Sequence, residues 1–169
     1  VKVRYIDTEG NEIAETDISE LYVNTEYDVS DAKDIITITK DGKIYDFYKD
    51  VGDDYTGTVS ENGNVIIREY EERAKANVVV HYVDSEGNEI AEDKTSGEIY
   101  INTAYDVSEA IVDSVEKDGK IYDFVSDDDA IYAGDMPENG VEITRVYKER
   151  DKAEAVVRYV DEEGNVLRE

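Results

Sequence analysis

In a chain of 169 residues, Val and Ile supply 37 and Leu only 2, a bias that suits β-branched side chains on a pleated surface and argues against a helical bundle. The 18 Lys and Arg against 44 Asp and Glu leave a net charge of −26, which opposes attraction to phosphate backbones and anionic lipid, so no nucleic acid and no membrane insertion is expected. With no Cys, disulfides, thiolate metal sites and Cys nucleophiles are absent, and no apolar run approaches the roughly 20 residues of a membrane span or the pattern of a signal peptide.

In chain order, Val1, Val3 and Tyr5 alternate with Lys2 and Arg4, the period of two of a half-buried strand. Asp7-Thr8-Glu9-Gly10-Asn11 follows, with Gly placed where a type I turn closes on a left-handed residue, which predicts a hairpin. Ser30 is the expected N-cap of one short helix, with Asp31 in its first turn. Asp41-Gly42 lies between extended runs and fits a two-residue type I′ turn. Asn62-Gly63 then introduces a closing strand over 65–71, on which Ile66, Arg68 and Tyr70 share a face.

From there the pattern starts again. Val3-Arg4-Tyr5-Ile6-Asp7 returns as Val80-His81-Tyr82-Val83-Asp84 and as Val157-Arg158-Tyr159-Val160-Asp161, at steps of 77 residues. Residues 24–30 return one position late as 102–108, 40–47 as 117–124, and 61–63 as 138–140. The second short helix, after Ser108, has the more convincing apolar face, through Ala110 and Ile111. The chain thus divides into repeat 1 (1–74), repeat 2 (75–150) and the opening hairpin of an incomplete third (151–169), and the native protein is expected to be longer. Residues 73–76 and 150–153 contain neither Pro nor Gly, which predicts stiff links and an extended array.

Val80-His81-Tyr82-Val83-Asp84-Ser85-Glu86-Gly87-Asn88-Glu89-Ile90-Ala91 and its copies, the Lys-Asp-Gly-Lys-Ile-Tyr hairpin, the Tyr55/Gly57 and Tyr132/Gly134 pairs and the closing Ile-x-Arg-x-Tyr strand resemble MucBP, the mucin-binding-protein repeat of Gram-positive surface adhesins. The resemblance implies a mainly β (β-rich α+β) chain of elongated β-grasp or ubiquitin-like modules set end to end. It also implies an extracellular place on a bacterial cell surface, and host mucin or another glycan as partner. Pro137 is the only Pro, fewer than family loops carry, and no wall-anchoring motif is present.

Catalysis needs converging groups, and the only His, His81, is replaced by Arg4 and Arg158 in the other copies, which reads as a solvated cationic position on a strand's outer face. An enzyme is not expected, and neither is a cofactor. All Tyr but Tyr48 fall at repeated positions, as core or sheet surface; Tyr48, matched by Val125, is the candidate for a copy-specific sugar contact. Acidic loops stand at Asp50 with Asp53 and Asp54, and at Asp127, Asp128 and Asp129, the last being where a Ca2+ ion is expected if one binds. Neither loop has the spacing of a dedicated Ca2+ loop. Arg68 and Arg145 stand between an Ile and a Tyr, placed to clamp a carboxylate or stack on Tyr70 and Tyr147. Two functions follow: a tandem adhesin module, or a spacer or filament subunit in which the hairpin over 153–167 adds to a sheet edge of another chain.

Overall fold

The computed structural model describes residues 1–128 and 131–168. It gathers into two compact units, one of Val1–Ala76 with Glu98–Ala104 and Asp135–Gly140, the other of Asn77–Gly97 with Tyr105–Gly134 and Val141–Glu169.

The first unit contains β1 (Lys2–Asp7), β2 (Asp17–Ile18), β3 (Glu26–Asp28), β4 (Thr37–Lys40), β5 (Lys43–Gly52), β6 (Thr56–Thr58) and β7 (Val65–Glu72). Five of these form a sheet in the order β2-β1-β7-β5-β4, with β1 and β7 parallel at its centre and the other neighbours antiparallel. First and last strands side by side in parallel, with a hairpin flanking each, is the strand order of a β-grasp. The alternation read from the sequence is the alternation of burial: Val3, Tyr5, Ile66, Arg68 and Tyr70 all face the core at 2 % exposure or less. Ile13, Ala32, Tyr45 and Tyr55 complete that core.

The turns are set by local chemistry. Asp41 and Gly42 both take positive φ, 51° and 74°, as a type I′ turn requires, and Lys40 pairs with Lys43 across it. At the first hairpin the Asp7 carboxylate accepts from the backbone N–H groups of Glu9 and Asn11 at 2.9 and 2.8 Å. Asp84 and Asp161 do the same in the later copies, and the Asn88 side chain holds the Asp84 carboxyl below the usual carboxylate range.

The second repeat follows the same plan. After β8 (Lys75–Ala76) come β9 (Val78–Asp84), β10 (Glu89–Thr95), β11 (Ile99–Tyr100), β12 (Ala104–Asp106), β13 (Ser114–Lys117), β14 (Lys120–Asp127), β15 (Ala133–Asp135) and β16 (Val141–Glu149), of which β8 and β11 fall in the first compact unit. The sheet of this repeat runs β10-β9-β16-β14-β13, again with a parallel central pair, β9 and β16. A hairpin of β17 (Tyr159–Val160) and β18 (Val166–Arg168) follows.

The expected short helices are single 3-10 turns, Ser30–Asp34 and Ser108–Ala110. Neither serine is a cap. The carboxylates of Asp28 and Asp106, two residues earlier, accept from the backbone N–H of Ser30 and Ser108 at 2.9 and 2.8 Å. Each turn buries one alanine, Ala32 or Ala110, and Ile111 is 48 % exposed instead of completing an apolar face. A turn this short has room for one inward side chain, so no amphipathic helix develops.

At the end of β5, Gly52 has φ +100°, and a Cβ there would lie 2.3 Å from the Val65 carbonyl oxygen. Gly52→Ala is therefore expected to destabilise the chain by more than about 2 kcal/mol in urea unfolding, whereas Gly10→Ala, at φ +89° with nothing within 4 Å, should cost about 1 kcal/mol.

Candidate functional site

The most developed polar arrangement in each unit surrounds a buried arginine. Arg68 is 1 % exposed. Its Nε donates to the Tyr70 hydroxyl at 3.0 Å, one terminal nitrogen donates to the Tyr55 hydroxyl, and the other donates to the Ile35 carbonyl at 3.2 Å. The Phe47 ring lies 4.3 Å from the guanidinium carbon. Asp50 approaches to 3.5 Å and accepts from the Tyr55 hydroxyl at 2.6 Å. The cation is thus fully wrapped by hydrogen bonds, one carboxylate and an aromatic face, the conditions under which a buried charge is tolerated. Arg145 reproduces the set with Tyr147 at 3.0 Å, Tyr132 at 2.5 Å, Val112 at 3.0 Å, Asp127 at 3.4 Å and Phe124 at 4.2 Å.

A β-bulge makes this possible. Along β5, Phe47 pairs with Tyr70, Lys49 with Glu69 and Asp50 with Arg68, so Tyr48 is the extra residue. Without it Phe47 and Asp50, three apart, would face opposite sides of the strand. In β14, Val125 is the extra residue between Phe124 and Ser126, and Asp127 again faces Arg145.

This accounts for the sequence candidates. Tyr48 is 55 % exposed and Val125 56 %, so the bulge position is free of core constraint and tolerates either side chain; the Lys49 ammonium stands 5.2 Å from the Tyr48 ring. Asp127 is directed at Arg145 and Tyr132, the latter donating at 3.0 Å. Asp128 accepts from the Thr144 backbone N–H at 3.4 Å, and Asp129 lies outside the described residues. Among the described residues no three His, Cys, Asp or Glu side chains are grouped to hold a metal. Asp53 accepts from the Val65 N–H at 2.7 Å. His81 pairs with Asp93 at 2.9 Å and Arg4 with Glu12 at 3.1 Å; the strand position is the same in both copies, but the acids are not, since Glu12 corresponds to Glu89 and Asp93 to Thr16.

A depression of about 520 Å³ that none of those candidates lines is formed by Glu26, Tyr27, Asp28, Thr56, Gly57 and Thr58. The ribbon of β3 and β6 builds it, with the Tyr27 ring over Gly57, 3.5 Å from where a Cβ on that glycine would stand, and its hydroxyl donating to the Asp54 carbonyl at 2.8 Å. Tyr105 and Gly134 repeat the pair in the second unit. The Gly repeated two residues after Tyr55 and Tyr132 was the signal for it in the sequence, since a bare strand position invites a ring from the strand opposite.

The MucBP domain model matches residues 1–71 and again 77–148. Among solved structures, domains 3-4 of the Streptococcal High Identity Repeats in Tandem (SHIRT) from a cell surface protein are 10 % identical over 88 % of this chain and 98 % of that one, with a TM-score of 0.33. The type 2 repeat of the mucus binding protein MUB from Lactobacillus reuteri is 15 % identical over 88 % and 98 %, with a TM-score of 0.31. A C-terminal fragment of the pilus adhesin SpaC from Lactobacillus rhamnosus GG is 8 % identical over 92 % and 99 %, with a TM-score of 0.34. No curated protein sequence matches.

Replacing Arg68 by Met leaves Asp50 and the phenols without their cation and is expected to lower the unfolding free energy in urea by about 3 kcal/mol, while Tyr48→Ser should change it by less than about 0.5 kcal/mol. Burial, reinforced by the hydrogen bond to Asp50 and opposed by Arg68, pushes the Tyr55 phenol up to about 12. Its folded pKa exceeds the unfolded value of about 10, so its contribution to stability is whole below pH 10 and is lost as pH rises towards 12. Denaturant midpoints measured across that window should fall, and Tyr55→Phe should flatten part of the decline.

Proposed function

Since this chain belongs to the MucBP family, whose model matches both of its repeats, we propose that it is an adhesin-type binding repeat on the outside of a bacterial cell, and that its ligand is a glycan of host mucin. The tandem family match is the observation that carries this reading. Among the described residues no helix is long and apolar enough to cross a membrane, and the match to a family of binding repeats is what supports binding rather than catalysis as the role.

The chain's charge narrows the ligand. A surface at −26 repels sialylated and sulfated termini, so neutral sugars are favoured. The depression between β3 and β6 offers Thr56 and Thr58 hydroxyls beside Glu26 and Asp28 carboxylates, groups that exchange hydrogen bonds with sugar hydroxyls. Weak sites in two repeats gain by effective concentration. A Ca2+ requirement, if present, belongs to the loop at Asp127, Asp128 and Asp129.

The spacer reading is favoured by one observation: Tyr48, the exposed aromatic that is not repeated, lines neither this depression nor the one of about 310 Å³ bounded by Lys33 and residues 50–55. In that reading the hairpin over 153–167 carries self-association by strand addition.

Binding of the full chain to immobilised mucin and to arrayed neutral and sialylated glycans, with Ca2+ and then with chelator, separates the two. The adhesin reading expects saturable binding competed by neutral glycan, strengthened on mucin as salt screens the mutual repulsion, and weakened about fivefold by each of Thr56→Ala and Thr58→Ala. Absence of saturable binding at every salt concentration leaves the spacer reading.

A further inference from the structure

The ribbon of β3 and β6 recurs as β12 and β15, and the two copies divide its side chains into those the fold uses and those it does not. Three of the six residues lining the first depression are retained, and each has a structural contact in both copies. Tyr27 and Tyr105 lie over Gly57 and Gly134, and their hydroxyls donate to the carbonyls of Asp54 and Ile131 at 2.8 and 2.9 Å. Asp28 and Asp106 each accept from the N–H of the serine two residues on.

The other three differ. Where the first repeat has Glu26, Thr56 and Thr58, the second has Ala104, Ala133 and Asp135, all exposed. Among the described residues the side chains of Glu26, Thr56 and Thr58 make no hydrogen bond and no ion pair, so the fold does not depend on them. They are nonetheless gathered. Across the ribbon Glu26 stands opposite Thr58 and Asp28 opposite Thr56, and the period of two puts all four on one face, with Tyr27 on the other.

That face both donates and accepts. A sugar hydroxyl does the same, and Thr supplies the O–H donor that an ionised carboxylate lacks. In the second repeat both hydroxyls are gone: Asp106 and Asp135 can only accept, and the two alanines offer no polar atom. A sugar laid there could donate its protons, while its own oxygens would find no side-chain donor at these positions.

We propose that the two repeats are unequal, the first binding neutral sugar about tenfold or more tightly than the second, with Glu26, Thr56 and Thr58 as the residues that set the difference. This rests on the adhesin reading above and adds to it which repeat dominates and through which side chains.

Amide NMR of the isotope-labelled full chain, titrated with neutral glycans released from desialylated mucin, follows both ribbons in one sample. Shifts at 26–28 and 56–58 are expected to reach half-saturation at a glycan concentration about tenfold below that for 104–106 and 133–135. Glu26→Ala/Thr56→Ala/Thr58→Asp, which gives the first ribbon the residues of the second, should bring the two to within about threefold. Ala104→Glu/Ala133→Thr/Asp135→Thr, the reverse exchange, should do so by tightening the second ribbon, and it keeps the test open if the first variant fails to fold. Equal half-saturation in the unaltered chain, a gap that survives both exchanges, or saturable shifts confined to other residues overturns the inequality and leaves the adhesin reading standing. No saturable shift anywhere in the chain overturns both.

Discussion

One buried guanidinium in each repeat ties distant parts of the chain together with directional bonds. Arg68 on β7 reaches Tyr55 beyond the end of β5, Ile35 at the close of the 3-10 turn, and Phe47 and Asp50 on either side of the bulge. A core of Val, Ile and Tyr with hardly any Leu offers few long apolar side chains to span such a gap. The guanidinium spans it with directional bonds, which fix where each segment sits as well as whether it stays.

Much else follows from this cation. The bulge in β5 exists at the one place where it turns both the Phe47 ring and the Asp50 carboxylate to the core face. Tyr55 and Tyr70 put phenol oxygens against the charge, and each phenol has a second partner, Asp50 or the Ile35 carbonyl. The turn needs no helix, since a single carbonyl presented at the right height satisfies the arginine. The same constellation recurs at Arg145 with every side-chain type retained, as expected if the members depend on one another.

With the interior committed in this way, recognition falls to the surface, which is short strands, Asp-capped turns and acid. At the outward strand position Arg4 pairs with Glu12, one of the places where the acidic surface is locally offset by a cation. The first repeat also presents a depression lined by the Thr56 and Thr58 hydroxyls.

The repeat, the strands and the tight turns were legible in the residues because their causes are local: period-two alternation, φ > 0 at Asp41-Gly42, and the reach of Asp7 back to its own turn. Arg68 and Arg145 were visible as cations on an apolar face, but their partners lie up to 35 residues away, and no local pattern ranks one acid among many as the counter-ion. For the same reason the pairing of Asp127 with Arg145, set by the bulge in β14, could not be read from its acidic loop, and Ser30 looked like a cap until Asp28 took the N–H it was expected to leave open. Tyr100 is the clearest case: it is half-buried beside β8 with its hydroxyl on Glu72, 28 residues away, and such a meeting of distant chain segments is decided by tertiary structure alone.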